Sequence, residues 1–85
     1  MANEQLQTRV KQVLAEVFQL PADELADDLI FGDIPQWDSM GHMEVMMSLE
    51  QNFGVEVTTE TIGGLTSLQA IYSYLEQNGH AGNHA

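Results

Sequence analysis

Helical periodicity constrains this 85-residue sequence more than any other of its features. Apolar residues recur at three- and four-residue spacing within residues 3–20, 38–54 and 67–78, and this spacing places them on one face of an α-helix. The only stretch with a strand-like pattern, Val55–Val57, is too short to form a sheet. We therefore predict an all-α fold, a small four-helix bundle with three longer helices and one short helix.

Residues that favour helix ends set the limits of the first two helices. Asn3 can cap the first helix, and Pro21 marks its end. Asp38 and Ser39 are both suitable caps for the second helix, and Gly54 is a suitable end. The sequence leaves the choice of the second cap open, because both side chains can accept a hydrogen bond from the first turn.

Further capping signals predict a short third helix and a longer fourth helix. Thr58 or Thr59 can open the third helix, and Gly63-Gly64 stops it. Thr66 and Gln69 have the spacing of a capping box, in which two side chains bond reciprocally to the backbone of a helix start. We therefore expect the fourth helix to run from about residue 67 to residue 78.

The helical faces predict which side chains form the core. The inward residues are expected to be Leu6, Val10, Val13, Leu14 and Val17 in the first helix, Val45, Met46, Leu49 and Phe53 in the second, and Leu68, Ile71, Tyr72 and Leu75 in the fourth. After the second helix, Val57 is expected to enter the core. One core of this size suits a single domain, which we place at residues 1–78, with residues 79–85 as a disordered tail.

A connection of residues 21–37 without clear periodicity joins the first two helices. Loops of this length in compact domains are usually functional or packed by their own side chains. The apolar residues that could anchor it are Leu25, Leu29, Ile30, Phe31, Ile34 and Trp37. We therefore expect an ordered loop packed onto the core, with one helical turn at residues 21–25.

The charge balance excludes several classes of function. Two basic and 13 acidic residues give a formal net charge of −11, whereas binding to nucleic acid or to anionic lipid needs a basic face. The sequence has no cysteine, no apolar run long enough to span a membrane, no basic signal-peptide segment at its start and no spacing typical of a metal site. We expect a cytoplasmic monomer that binds neither nucleic acid nor membrane and whose partners carry positive patches.

The second helix carries apolar residues on two faces. On a helical wheel, Met40, Met43 and Met47 lie away from the face that holds Leu49 and Phe53, and cannot join it. Either the long loop covers these methionines, or they form an exposed strip for docking, which we favour because methionine adapts to several partners. The acidic residues that would surround such a strip are Asp38, Glu44, Glu50 and Glu56.

Ser39 opens the second helix between the loop and the methionines. It could be a simple N-cap. It could be a nucleophile activated by His42, but no third group that would orient this histidine is evident. It could also carry a phosphodiester, because the unpaired N–H groups and the positive dipole at a helix start favour negative charge there.

The segment Trp37-Asp38-Ser39-Met40 resembles the attachment motif of acyl carrier proteins, a D-S pair followed by Leu or Met. The resemblance extends over about residues 4–78 and includes the first helix, the long loop, the second helix with the turn after it, and the start of the fourth helix. It implies that Ser39 takes a 4′-phosphopantetheine arm from coenzyme A, with Asp38 as its motif neighbour. It also implies a carrier and not an enzyme, since the arm holds acyl groups as thioesters for other proteins.

The same resemblance implies the partners of the chain. A phosphopantetheinyl transferase would attach the arm, and an acyltransferase, a ketosynthase or other acyl-processing enzymes would use it. Their docking surface is expected to comprise Met40, Met43, Glu44, Met47 and Glu50. These enzymes would carry basic docking patches that complement the acidic carrier.

Three positions depart from the primary fatty-acid carriers of that family. Met40 and Gly41 stand where those carriers usually have Leu and an acidic residue, and Trp37 is an unusual neighbour of the motif. The departures favour a discrete carrier of a specialised pathway, such as a polyketide, mixed polyketide–peptide or dedicated acyl-transfer route. The alternative from another class is an acidic helical adaptor without a prosthetic group, which would bind basic partners through Met40, Met43 and Met47.

Overall fold

Four α-helices and one short 3₁₀ turn make up the regular structure of residues 3–77, the part of the chain that the computed structural model describes. In chain order these are α1 (Asn3–Phe18), the 3₁₀ turn (Ala22–Glu24), α2 (Ser39–Phe53), α3 (Thr59–Gly64) and α4 (Leu68–Gln77). Within the described residues, the only β-type pairing is an isolated antiparallel bridge between Ile30 and Ser67. The predicted all-α bundle, with one short helix and a long loop before α2, is confirmed.

The first helix ends two residues earlier than its apolar pattern predicted. Gln19 takes a left-handed backbone conformation with φ of 58°, and Leu20 N–H donates to the Ala15 carbonyl at 3.0 Å. The buried residues of the helix are Leu6, Val10, Leu14, Ala15 and Phe18, whereas Val13 and Val17 are only partly buried. Phe18, which the pattern left out, packs against Trp37 with the ring centroids 5.5 Å apart.

Caps hold both ends of α2. Asp38 is the N-cap, and its carboxylate accepts a hydrogen bond from Gly41 N–H at 2.8 Å. Gly54, with φ of 75°, is the left-handed C-cap, and its N–H donates to the Glu50 carbonyl at 3.0 Å. The predicted inward residues Val45, Met46, Leu49 and Phe53 are all buried. The helix therefore begins and ends where the sequence signals placed it, and Asp38 supplies the cap.

The extended stretch after α2 buries a different valine from the one predicted. Val55 is fully buried, whereas Val57 is only partly buried. The turn through Gly54 brings Val55 back over the end of α2, where its N–H donates to the Leu49 carbonyl at 3.4 Å. Both valines lie on one side of an extended stretch, so alternation alone could not rank their burial.

Threonine side chains build the start of α3. Thr58 is the N-cap, and it forms a reciprocal capping box with Thr61, with N–H to hydroxyl distances of 2.8 and 3.1 Å. The Thr61 hydroxyl also donates to the Glu56 carbonyl at 2.8 Å. The short helix is therefore tied to the extended stretch before it.

The start of α4 is capped by a residue other than the one predicted. The Ser67 hydroxyl accepts from Ala70 N–H at 3.0 Å. The predicted capping box of Thr66 and Gln69 is wrong, because the Gln69 amide donates to the Asp27 carbonyl of the loop at 3.1 Å. The predicted inward residues of this helix, Leu68, Ile71, Tyr72 and Leu75, are all buried.

The long loop is ordered and packed on the core, as predicted, but not by all of its apolar residues. Leu25, Leu29 and Trp37 are buried and Ile34 is partly buried. The prediction is wrong for Ile30 and Phe31, which are 48% and 40% exposed. Backbone bonds anchor the loop here instead: Phe31 N–H donates to the Thr66 carbonyl at 2.8 Å, and Leu68 N–H donates to the Leu29 carbonyl at 3.0 Å.

Both basic residues of the sequence make contacts within the fold. Lys11 Nζ lies 2.7 Å from the Asp27 carboxylate, which joins α1 to the loop. The Arg9 guanidinium lies 4.8 Å from the centre of the Phe53 ring, which joins α1 to the end of α2. Since the chain has no other Lys or Arg, acidic side chains are the only charged groups over the remaining described surface.

The predicted tail lies outside the described residues, as does the predicted last residue of α4, Asn78. Within residues 3–77, no helix is both long and apolar enough to cross a membrane.

Candidate functional site

Ser39 is the first residue of α2, and its side chain is exposed. The sequence left open whether Ser39 or Asp38 caps the helix, and the structure assigns this role to Asp38 through its bond to Gly41 N–H. The Ser39 hydroxyl makes no hydrogen bond to any other residue within 3–77. The hydroxyl is therefore accessible to another protein and is not needed to hold the helix end.

Close backbone packing fixes the loop end that precedes Ser39. A Cβ atom added to Gly41 would lie well inside van der Waals contact of the Gln36 carbonyl oxygen. In the first turn of α2, His42 N–H donates to the Asp38 carbonyl at 2.7 Å. Gly41 therefore stands where the carrier pattern has an acidic residue because the loop end needs the space of its missing side chain.

His42 is buried behind Ser39 with both ring nitrogens hydrogen-bonded. Trp37 Nε1–H donates to Nδ1 at 3.0 Å, and Nε2 lies 2.7 Å from the Ile62 carbonyl oxygen of α3. Because neither nitrogen has a free lone pair in this arrangement, His42 is not a general base for Ser39. The sequence showed no third group that would orient His42 towards Ser39, and the structure shows that its ring nitrogens are bonded elsewhere.

Sequence reasoning missed the contacts that His42 makes. The signal was present, since a helical wheel places His42 in the centre of the buried face of α2, between Leu49 and Phe53. A polar ring at such a position needs hydrogen-bond partners. The partners Trp37 and Ile62 come from other elements and could not be read from the helix pattern.

A shallow recess of about 370 Å³ opens beside Ser39. It is lined by Phe31, Ser39, His42, Met43, Ile62 and Thr66, which come from the loop, α2, α3 and the turn before α4. Except for His42, none of these side chains is ionisable near neutral pH. The exposed serine therefore borders a mostly apolar surface.

The three methionines of α2 are exposed, as one of the two alternatives predicted. Met40, Met43 and Met47 are 76%, 42% and 53% exposed, so the alternative in which the loop covers them is wrong. Met47 and Glu44 also line a groove towards α1, together with Glu16 and Val17. We call Met40, Met43 and Met47 the methionine strip, and its role in docking stays a prediction.

Exposed carboxylates accompany the methionine strip on α2. The acidic side chains predicted to flank it, Asp38, Glu44, Glu50 and Glu56, are all exposed, but Glu56 lines a recess with residues of α3 and α4 and not the strip. Within residues 3–77, no group of three or more His, Cys, Asp or Glu side chains is placed to hold a metal ion. The surface around Ser39 is therefore apolar along the strip and acidic around it, which suits a partner with the complementary pattern.

Residues 8–75 match the family model described as a phosphopantetheine attachment site. The matched range contains most of α1, the whole loop, α2, α3 and the larger part of α4. It therefore includes Ser39, its recess and the methionine strip. The match rests on the length of the domain and not on the short motif alone.

Proposed function

Because this chain belongs to the family of proteins with a phosphopantetheine attachment site, we propose that Ser39 is the residue that carries the arm. Proteins of this family are carriers, and their cofactor is covalently attached 4′-phosphopantetheine. The observation that supports Ser39 most strongly is its exposed hydroxyl, which makes no hydrogen bond within the described residues and stands at the start of α2. When attached, the arm supplies a terminal thiol that holds an acyl group as a thioester.

The residues of the chain itself bind and present the arm, and they do not activate Ser39. In the attachment step, the Ser39 oxygen would bond to the pantetheine-bearing phosphorus of the coenzyme A pyrophosphate while a base takes the hydroxyl proton. The bond from that phosphorus to the bridging oxygen would break, and the nucleotide would leave with the other phosphate. His42 cannot take this proton, since its Nδ1 lone pair accepts from Trp37. We infer that the partner transferase supplies the base.

The start of α2 suits a phosphodiester, but only one that is covalently bound. The positive end of the helix dipole favours the negative phosphate. The Asp38 carboxylate next to it opposes a free anion and already accepts the Gly41 N–H. A covalent bond at Ser39 removes the need for electrostatic attraction to hold the phosphate in place.

The methionine strip and its acidic surroundings support a docking role towards basic enzymes. We infer that a phosphopantetheinyl transferase, and then an acyltransferase, a ketosynthase or another acyl-processing enzyme, contacts Met40, Met43, Glu44, Met47 and Glu50. The exposure of the three methionines supports this role, because such a strip in water is otherwise unfavourable. The surrounding carboxylates would accelerate association with partners that carry Lys or Arg patches.

The departures around the motif support a specialised pathway. Trp37 and Gly41 replace residues typical of primary fatty-acid carriers, and both fit into the loop end that packs on α2. We infer a carrier of a polyketide, mixed polyketide–peptide or dedicated acyl-transfer route.

Intact mass after incubation with coenzyme A, Mg²⁺ and a promiscuous phosphopantetheinyl transferase tests the proposed function. The wild-type chain should gain one phosphopantetheinyl unit, and Ser39→Ala should gain none while keeping its helical content. Ser73→Ala, at an exposed serine of α4, is the matched control and should be modified like wild type. A wild-type chain that gains no mass would favour the acidic adaptor, and a modified Ser39→Ala would place the arm elsewhere.

A further inference from the structure

We propose that His42 is a positioning residue for Ser39, whose neutral ring fastens the loop end at Trp37 to α2 and whose protonation releases it. The importance of this contact for arm attachment rests on the proposed function of Ser39, whereas the hydrogen bonds of His42 are independent of that function. The contact joins three elements that surround the recess: the loop, α2 and α3.

The two partners of His42 allow only one form of the ring. The Trp37 indole nitrogen can only donate, so Nδ1 has to accept at 3.0 Å. The Ile62 carbonyl oxygen can only accept, so Nε2 has to donate at 2.7 Å. The ring is therefore neutral, with its proton on Nε2, and it uses its full hydrogen-bonding capacity.

Protonation of His42 breaks one of these bonds and strengthens the other. A proton added to Nδ1 would face the Trp37 N–H, and two donors cannot bond to each other. The bond from Nε2 to the Ile62 oxygen would gain from the positive charge. The loop end at Trp37 is thus the side that detaches, while α3 stays fastened.

Loss of the bond between Trp37 and His42 would destabilise the attached loop end and displace the segment next to Ser39. Trp37 is fully buried, so its indole N–H would lose its partner away from water. A buried donor without a partner destabilises the attached state of the loop, and this free-energy cost would raise the population of the detached state roughly tenfold. Since Trp37 precedes Ser39 by two residues and its carbonyl accepts from Gly32 N–H at 3.0 Å, the displaced segment would include the Asp38 cap.

No charged group within residues 3–77 is bonded to the His42 ring. Its neighbours are Trp37, Ile62 and Phe31, whose ring meets the imidazole edge-on with centroids 5.6 Å apart. The titratable residues on the elements that pack around it are all exposed carboxylates: Asp23, Glu24, Asp27, Asp28 and Asp33 of the loop, Asp38, Glu44 and Glu50 of α2 and its N-cap, and Glu60 of α3. Asp33 accepts from Ile30 N–H and Asp38 from Gly41 N–H, so these two carboxylates have partners of their own.

The single tryptophan gives a direct readout of the contact. Lowering the pH from about 8 to 5 should shift Trp37 fluorescence and its indole N–H resonance in wild type. His42→Gln is the matched variant, because its amide oxygen can accept from Trp37 and its NH₂ can donate to Ile62, without a titratable ring. It should show native Trp37 signals that do not change over this range.

The outcomes of this titration decide the proposal. A Trp37 transition in wild type that is absent in His42→Gln supports it. An equal transition in both proteins would assign the change to carboxylates, and no transition in wild type would show that protonation leaves the loop attached. Either of these two results overturns the proposal.

Kinetics of arm attachment test the link to Ser39. The ratio of the transferase KM for wild type to that for His42→Gln should rise as the pH falls, and the ratio of the two kcat values should stay constant. The reason is that the loop end affects how Ser39 is presented to the transferase and not the chemical step. A KM ratio independent of pH contradicts the link. If neither wild type nor His42→Gln takes the arm, the proposed function of Ser39 is refuted. The proposal for His42 is then still tested by the fluorescence of Trp37, which does not depend on the arm.

Discussion

At the scale of single residues, Gly41 shows how a loop can dictate a helix residue. Alanine normally stabilises a helix interior relative to glycine by about 0.5–1 kcal/mol. At Gly41 the added methyl group would overlap the Gln36 carbonyl oxygen, so we expect Gly41→Ala to destabilise the protein by about 1–3 kcal/mol. Urea denaturation measures this difference.

The control for this prediction is a second glycine within a helix. Gly63 of α3 has open space where its Cβ would stand, so Gly63→Ala should be neutral or slightly stabilising. If Gly41→Ala is as stable as Gly63→Ala, the loop end does not need the space at Gly41.

A buried phenol makes stability depend on pH at the alkaline end. Burial, and then the negative charge of Asp27, raises the pKa of Tyr72 to about 12 from its usual 10. Because the pKa is higher in the folded state, the resulting stability is present below pH 10 and is lost as the pH rises towards 12. The shift corresponds to roughly 3 kcal/mol at most.

Tyrosinate absorbance and denaturation at several pH values measure this effect. The late-ionising tyrosine should disappear in Tyr72→Phe and persist in Tyr74→Phe. The stability of Tyr72→Phe should also fall less steeply above pH 10 than that of wild type. If Tyr74→Phe removes the tyrosine ionisation seen at the highest pH, the assignment of that ionisation to Tyr72 is wrong.

At the scale of the elements, α2 has one face for the core and one for solvent. Leu49 is fully buried, so Leu49→Ala should cost about 2–5 kcal/mol of stability. Met47 is 53% exposed, so Met47→Ala should cost well under that and still slow the use of the carrier by partner enzymes. Thermal melts and loading kinetics on both variants separate the two faces. Equal destabilisation by the two substitutions would mean that the methionine strip is a packing surface.

The charge beside the strip should affect association and not folding. Glu44→Lys should slow loading by a basic partner, with a deficit that shrinks as salt is added, because exposed charges are screened. Glu76→Lys makes the same charge change on an exposed site of α4 and should slow loading much less. Equal slowing by both variants would indicate an effect of net charge alone and would remove Glu44 from the docking surface.

At the scale of the whole molecule, a net charge of −11 repels itself over a small surface. Lys11 pairs with Asp27 and Arg9 lies over the Phe53 ring, and no other carboxylate within residues 3–77 forms a salt bridge. We expect NaCl and Mg²⁺ to raise the melting temperature, by roughly 4–8 °C for each kcal/mol gained.

A variant of lower charge is the control for this salt effect. Asp23→Asn with Glu24→Gln neutralises two exposed carboxylates in the 3₁₀ turn. It should melt at a higher temperature than wild type in low salt and respond less to added salt. A melting temperature of wild type that does not change with salt would show that repulsion is a minor contribution.

Local patterns in the sequence were enough to predict the fold class and much of the core. The spacing of Leu6, Val10 and Leu14, and that of Leu68, Ile71, Tyr72 and Leu75, predicted buried faces because helical periodicity depends only on neighbours along the chain. The same periodicity separated the methionine strip from Leu49. The motif at Ser39 indicated the family, and the model match over residues 8–75 confirms it.

Tertiary structure decided the features that depend on partners distant in the sequence. The sequence could not show that Phe31 N–H bonds to the Thr66 carbonyl and leaves the Phe31 ring exposed. Nor could it show that the Gln69 amide bonds to the Asp27 carbonyl of the loop, which leaves the cap of α4 to Ser67. The Ile62 oxygen lies twenty residues beyond His42, and no local pattern links them. Ser39 has a free hydroxyl because Asp38 took the cap. The starts of α2 and α4 each have more than one possible hydrogen-bond acceptor, and only the structure shows which one is used.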